Sequence, residues 1–179
     1  MKHIALFLLI QCSGIILFSQ GLTPTDDGSK VSFKIKNFGF NVEGSFKGLR
    51  GTVRFDPNDL AGSSFDVSVD AATVNTDNDM RDSHLKNETY FDVSKYPRIR
   101  LVSTKVVASN KGGTYILYGK LTIKDKTQDL SFPFAATASN GGYLFAGEFK
   151  INRKDFGVGG SSTISDNLTV SLSVMARQK

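Results

Sequence analysis

Apolar residues recur at every second position over most of the chain, as in Phe33-Ile35, Phe65-Val67-Val69, Leu130-Phe132-Phe134 and Leu168-Val170-Leu172-Val174. Lysines, serines and acids fill the positions between them. That period turns one face of each segment inward and the other to water, as half-buried antiparallel strands require. The expected strands run through 31–35, 41–46, 49–55, 65–71, 99–106, 115–123, 130–134, 143–151 and 168–174. Turn residues such as Asp56-Pro57-Asn58-Asp59 and Gly112-Gly113 separate them. Pro133 predicts an edge or a bulge, because proline cannot donate a ladder hydrogen bond.

The alternation stops between Asn75 and Pro97, where Arg81, Asp82, His84, Phe91 and Tyr96 crowd together without a period of two. An insert of that kind on a strand scaffold is where specificity is commonly carried. The class is antiparallel all-β, and periodicity alone leaves a sandwich or a barrel open. Gly119 and Gly147 stand on the inward phase, where a missing side chain permits sharp curvature or a bulge, and this favours a barrel.

The first residues follow another rule. Lys2 precedes an apolar run that ends at the small residue Ser19, the pattern of a secretory signal peptide over 1–19. Gln11, Cys12 and Ser13 interrupt the run, leaving it short of the ~20 apolar residues of a membrane span. Residues 20–29, with Pro24 and two adjacent acids, are expected as an exposed lead-in, and 30–179 as one domain. A chain of about 160 residues buries about 70% of its unfolded surface, enough for a single core. Cys12 is the only cysteine, so the exported part would hold together by burial alone. The net charge of +5 is spread along the strands, which reads as a solvated exterior.

The motifs Thr76-x-Asn78-x-x-Arg81-Asp82-x-His84-Leu85 and Tyr90-Phe91-Asp92-Val93-x-Lys95-Tyr96-Pro97 resemble those of the YceI-like family of exported, lipocalin-like proteins. Val42-x-Gly44-x-Phe46, Gly119-x-Leu121-Thr122-Ile123 and Arg153-x-Asp155-Phe156-Gly157 extend the resemblance over 31–176 in the family's order. Two departures are Asn37, where relatives often have histidine, and Asp125-Lys126 in the turn after Ile123. The resemblance implies an eight-stranded antiparallel barrel with a short helical or loop insert around 75–97. It also implies an apolar interior holding an isoprenoid or similar long-chain amphiphile in the periplasm, and binding without catalysis or a cofactor.

An eight-stranded barrel is just wide enough to be filled by side chains or to hold one narrow ligand. Candidate lining residues are Phe33, Ile35, Phe46, Phe65, Val67, Leu101, Leu117, Leu121, Phe132, Phe134, Phe145 and Phe149, joined by Leu85, Phe91 and Phe156. The same rings could equally form an ordinary core, each contributing about 1.5–3 kcal/mol on burial. A forty-carbon tail would gain roughly 30 kcal/mol by transfer arithmetic, beyond the affinity ceiling of about 20. Slot shape and head group must therefore select the ligand. Arg81, with its fork of donors, is the candidate for a polar head, and Arg153 a second. Arg81, Asp82 and His84 could instead be an ion pair and a hydrogen-bonded histidine pinning the insert. Tyr90 and Phe91 are candidates for a gate or a core cap.

Other chemistries fare less well. His84 is the one histidine beyond the leader, and no G-x-S-x-G elbow is present, which weighs against a hydrolase built on Arg81, Asp82 and His84. Asp77, Asp79 and Asp82 lack the glycine and terminal glutamate of a calcium loop. Lys34, Lys36 and Phe38 resemble a nucleic-acid face, but export argues against that partner. A structural envelope protein with a filled core stays open as an alternative, as does a homodimer.

Overall fold

The computed structural model describes residues 21–139, 141–160 and 163–178, so the expected leader over 1–19 lies outside the described residues. Eight strands follow one another round a closed antiparallel barrel. They are β1 (Thr23–Asn37), β2 (Phe40–Arg54), β3 (Ser64–Asn75), β4 (Arg98–Ala108), β5 (Thr114–Ile123), β6 (Lys126–Ser139), β7 (Gly142–Asn152) and β8 (Ile164–Arg177). Helix α1 (Asp79–Lys86) lies between β3 and β4, and a 3-10 turn, Arg153–Phe156, between β7 and β8. Pairing of β1 with β8 closes the ring and removes the exposed edges a sandwich would leave.

Two expectations need correction. Most of the lead-in over 20–29 is strand: Thr23, Pro24 and Thr25 pair with Arg177, Ala176 and Met175, and Leu22 exchanges two hydrogen bonds with Val53. The polar stretch between Thr25 and Lys30 is a bulge, bridged by Ser29 Oγ, which accepts from Met175 N at 2.8 Å. Its lost alternation is what made it look like a tail. The two strands expected over 41–46 and 49–55 are one, β2, kinked by irregular register against β3 between Ser45 and Arg50. The Asp26 carboxylate accepts from the amides of Gly48 and Leu49 at 2.8 and 3.0 Å, so the β1 bulge caps the β2 kink. Gly51, at φ 133, runs so close to β3 that a Cβ would strike the Asp66 carbonyl.

Pro133 sits where its chemistry allows. It pairs with Ile116 of β5, while the ladder from β6 to β7 begins one residue later at Phe134. The missing amide therefore falls where β6 parts from β7.

The barrel's two ends differ. At one, which we call the floor, Phe55 lies within 5.1–6.4 Å of the rings of Phe65, Tyr115, Phe134, Tyr143 and Phe145. Most of these contacts are edge-on, the arrangement the ring quadrupole favours. Leu22, Val53, Val106 and Leu117 complete this packed end. The other end carries the turn at Phe38-Gly39, the insert with α1, the turn at Lys124-Asp125 and the loop after β7.

Candidate ligand-binding cavity

Above the floor the same strands enclose a cavity of about 420 Å³, within the ordinary range for small-molecule sites. Its wall is mainly aliphatic. Val31, Phe33 and Ile35 of β1 face Leu168, Val170, Leu172 and Val174 of β8, and β2 adds Val42, Phe46 and Leu49. Val67 and Val69, Ile99 and Leu101, Leu121 and Ile123, and Phe149 and Ile151 come from β3, β4, β5 and β7. Each pair is spaced by two, so the inward phase of the strands builds the wall.

Gly44 shapes this wall. It pairs with Phe33 across β1 and β2, and the Phe33 ring lies over it so closely that a Cβ would overlap the ring. Phe33 then meets Phe46 at 5.7 Å, and Phe46 meets Phe91 of the insert edge-on at 5.4 Å. Phe91 thus brings the insert down onto the cavity's upper wall.

The insert is held by a compact polar knot. Asn78 caps α1, its side chain accepting from Arg81 N at 2.9 Å. The buried Asp82 carboxylate accepts from Thr76 N and Thr76 Oγ1 at 2.9 and 2.5 Å. Arg81 donates from Nε to Thr76 Oγ1 and from Nη2 to the Thr76 carbonyl, both at 2.7 Å. Thr76 therefore stands between Arg81 and Asp82 in place of a direct ion pair. Arg81 Nη1 has no hydrogen-bond acceptor among the described residues, and Arg81 borders the cavity. His84 is exposed on the rim, with no side-chain hydrogen bond among the described residues. Lys124 Nζ donates to the Glu88 carbonyl at 2.8 Å and Gly159 N to the Thr89 carbonyl at 2.8 Å, tying the insert to the neighbouring loops.

Arg153 has a different task. Only 5% exposed, it donates to the carbonyls of Ser165, Val158, Gly160 and Ile164 and pairs with Asp166 at 3.1 Å. Its guanidinium organises the loop before β8 and has little left for a head group. The carboxylate it meets is that of Asp166, thirteen residues on.

Of the residues singled out in the sequence, Phe33, Ile35, Phe46, Val67, Arg81, His84, Leu85, Phe91, Leu101, Leu121 and Phe149 border the cavity. Phe65, Phe134, Phe145 and Leu117 lie in the packed floor instead. Phe132 lies against Phe149 at 4.7 Å with the rings tilted, and Phe156, the last residue of the 3-10 turn, is 2% exposed; neither borders the cavity. The wall also includes Val31 of β1 and Leu168, Val170, Leu172 and Val174 of β8, whose alternation is visible in the sequence but which are absent from the candidate residues.

Apart from Lys95, raised by Tyr96 beside it in the insert, the shifted ionisations lie on the barrel strands. Hydrogen bonding to Arg100 holds the Asp66 carboxyl below the usual range, and burial, with Arg50 nearby, lowers Arg98. Among the described residues, no cluster of metal-binding side chains is found and no helix is long and apolar enough to cross a membrane.

Comparison with known proteins places the chain. Residues 23–176 match the YceI-like domain family. A UPF0312 protein of Pseudomonas savastanoi pv. phaseolicola is 31% identical over 156 residues, covering 83% of this chain and 81% of that protein. The crystal structure of BcnA from Burkholderia cenocepacia superposes with a TM-score of 0.76 at 28% identity, covering 82% of this chain and 94% of that one. A polyisoprenoid binding domain from Saccharophagus degradans, implicated in plant cell wall breakdown, shares the fold with a TM-score of 0.70 at 14% identity, covering 90% and 99%.

Proposed function

The chain belongs to the YceI-like family, and from that premise we propose that it binds one isoprenoid or similar long amphiphile in the cavity above the aromatic floor. In this proposal the protein carries or sequesters the molecule outside the cytoplasm, after removal of a leader over 1–19. The observation that carries it is the aliphatic chamber, which side chains leave open. An apolar void of this kind holds hydrocarbon more readily than water, which needs several polar partners.

Head-group contact falls to Arg81, whose Nη1 stays available while its other donors anchor it to Thr76. An arginine fixed in this way meets a phosphate or carbonyl oxygen with little further ordering. The fold of the polyisoprenoid binding domain and the family membership both support the ligand class.

Titration of a fluorescent prenol into the purified protein tests this. Saturable one-to-one binding in the wild type, lost in Val170→Phe, is expected. Val170 lies between Phe33 and Phe149 on its neighbouring strands, so a ring there would enter the cavity. Equal binding by both proteins, or none by folded wild type, would refute the reading.

A further inference from the structure

The turn between β1 and β2 is built against local preference. Phe38 and Gly39 both have positive φ, 50° and 82°, a two-residue hairpin geometry that asparagine or glycine adopts without strain and a bulky aromatic rarely adopts. Phe38 is nevertheless 73% exposed, and Phe40 beyond the turn is 77% exposed. Among the described residues neither ring packs against another ring, and the hydrogen bond from Phe38 N to the Thr163 carbonyl at 3.2 Å uses only backbone. The turn's backbone serves the fold, but an exposed aromatic ring at its strained position does not, and that points to a role for the ring outside the fold.

The location gives that role a direction. The first residue of β2 that pairs with β3 is Ser45, so the hairpin tip projects about 15 Å past the end of β3. Asn37 and Val42, which flank the tip, border the cavity, as does Met80 of α1, itself 74% exposed. The exposed rings therefore stand at the cavity's open side. From Asn37 to Asn41 the tip carries no charge.

We propose that Phe38, Phe40 and Met80 dock the cavity's mouth on a phospholipid bilayer by shallow insertion, so that a lipid chain passes between membrane and barrel without crossing water. This rests on the lipid-binding reading above. The three side chains offer roughly 450 Å² of surface. A standard protein interface takes about 800 Å² per partner, so the patch is too small for a stable protein partner or a dimer. It suits reversible insertion, for which isolated aromatic side chains on a projecting tip are well shaped.

Co-sedimentation with phosphatidylcholine–phosphatidylethanolamine vesicles tests the proposal on the full protein. Wild type is expected to bind, with little change as salt rises from about 0.1 to 1 M, because insertion of uncharged groups is not screened. The double variant Phe38→Asn, Phe40→Ser is expected to partition more than about a hundredfold more weakly. It should keep its affinity for a prenol presented in detergent, and Phe38→Asn alone should raise the Tm by relieving the turn. Failure of wild type to bind vesicles, while it captures prenol from detergent, would overturn docking and leave the lipid-binding reading intact. Vesicle binding without prenol capture would refute that reading, and with it the passage of a lipid chain, while leaving the docking itself supported. Binding abolished by salt, or self-association that the double variant removes, would assign the patch to charge attraction or to a second copy and overturn docking.

Discussion

The floor and the chamber of this barrel are made by the same strands on the same inward phase, yet one is solid and the other open. β3 contributes Phe65 to the floor and Val67 and Val69 to the chamber. On β7, Tyr143 and Phe145 lie below while Phe149 and Ile151 lie above. The difference is side-chain reach. Rings from opposite walls meet across an eight-stranded barrel, whereas valine, leucine and isoleucine stop short and leave a gap. Pattern decides what faces inward, and size at each level decides whether the level is filled.

Charge in the floor should have the largest effect. Leu117, 2% exposed, has no room or polar partner for a cation, so Leu117→Arg is expected to prevent folding, seen as loss of a cooperative thermal transition. Truncation sharpens the contrast. Phe145→Ala should destabilise by about 3–5 kcal/mol, and Leu172→Ala, beside existing empty space, by about 2 kcal/mol at most. Denaturant titration of both variants would show whether floor and chamber differ in this order.

Gly44→Val acts at the chamber wall. The new side chain overlaps the Phe33 ring and must drive it toward the cavity, so prenol affinity should fall at least tenfold with a stability loss of about 1–3 kcal/mol. Arg81→Ala is expected to weaken a phosphorylated prenol about tenfold while leaving a headless isoprenoid unchanged, the scale of one charge-assisted hydrogen bond. Arg81→Lys keeps the charge and loses the fork, so only partial recovery should appear in the same titration.

The outer surface should matter least. Asp66 and Arg100 pair at 2.6 Å with both side chains about half exposed, and Asp66→Asn should change stability by no more than about 1 kcal/mol. Its pH dependence has a definite sign. Arg100 lowers the Asp66 pKa from the usual 3.8, so the pair's contribution is complete above that value. It is lost as the pH falls through the lower value of the folded state. Unfolding curves between neutral pH and about pH 2 should converge for wild type and Asp66→Asn at the acid end.

Much of the fold was legible because a period of two survives wherever one face is buried and the other wet. The bulges were not: Thr25 to Lys30 and Ser45 to Arg50 break the alternation while staying in the ladder, and their repair by Ser29 and Asp26 is a long-range event. The candidate site was legible in part. Phase identified Phe33, Phe46 and Phe149 as inward but gave no height along the barrel, so Phe65, Phe134 and Phe145 could not be told from them. Arg153 looked as available as Arg81, because only the folded loop brings four carbonyls and Asp166 around it.

Native mass spectrometry of the protein purified from its own host, with extraction of whatever it retains, tests the chamber most directly. One long-chain lipid per protein chain is expected, absent from Val170→Phe purified in the same way. A wild-type protein that carries no extractable lipid, or a filled variant that carries the same one, would contradict the account.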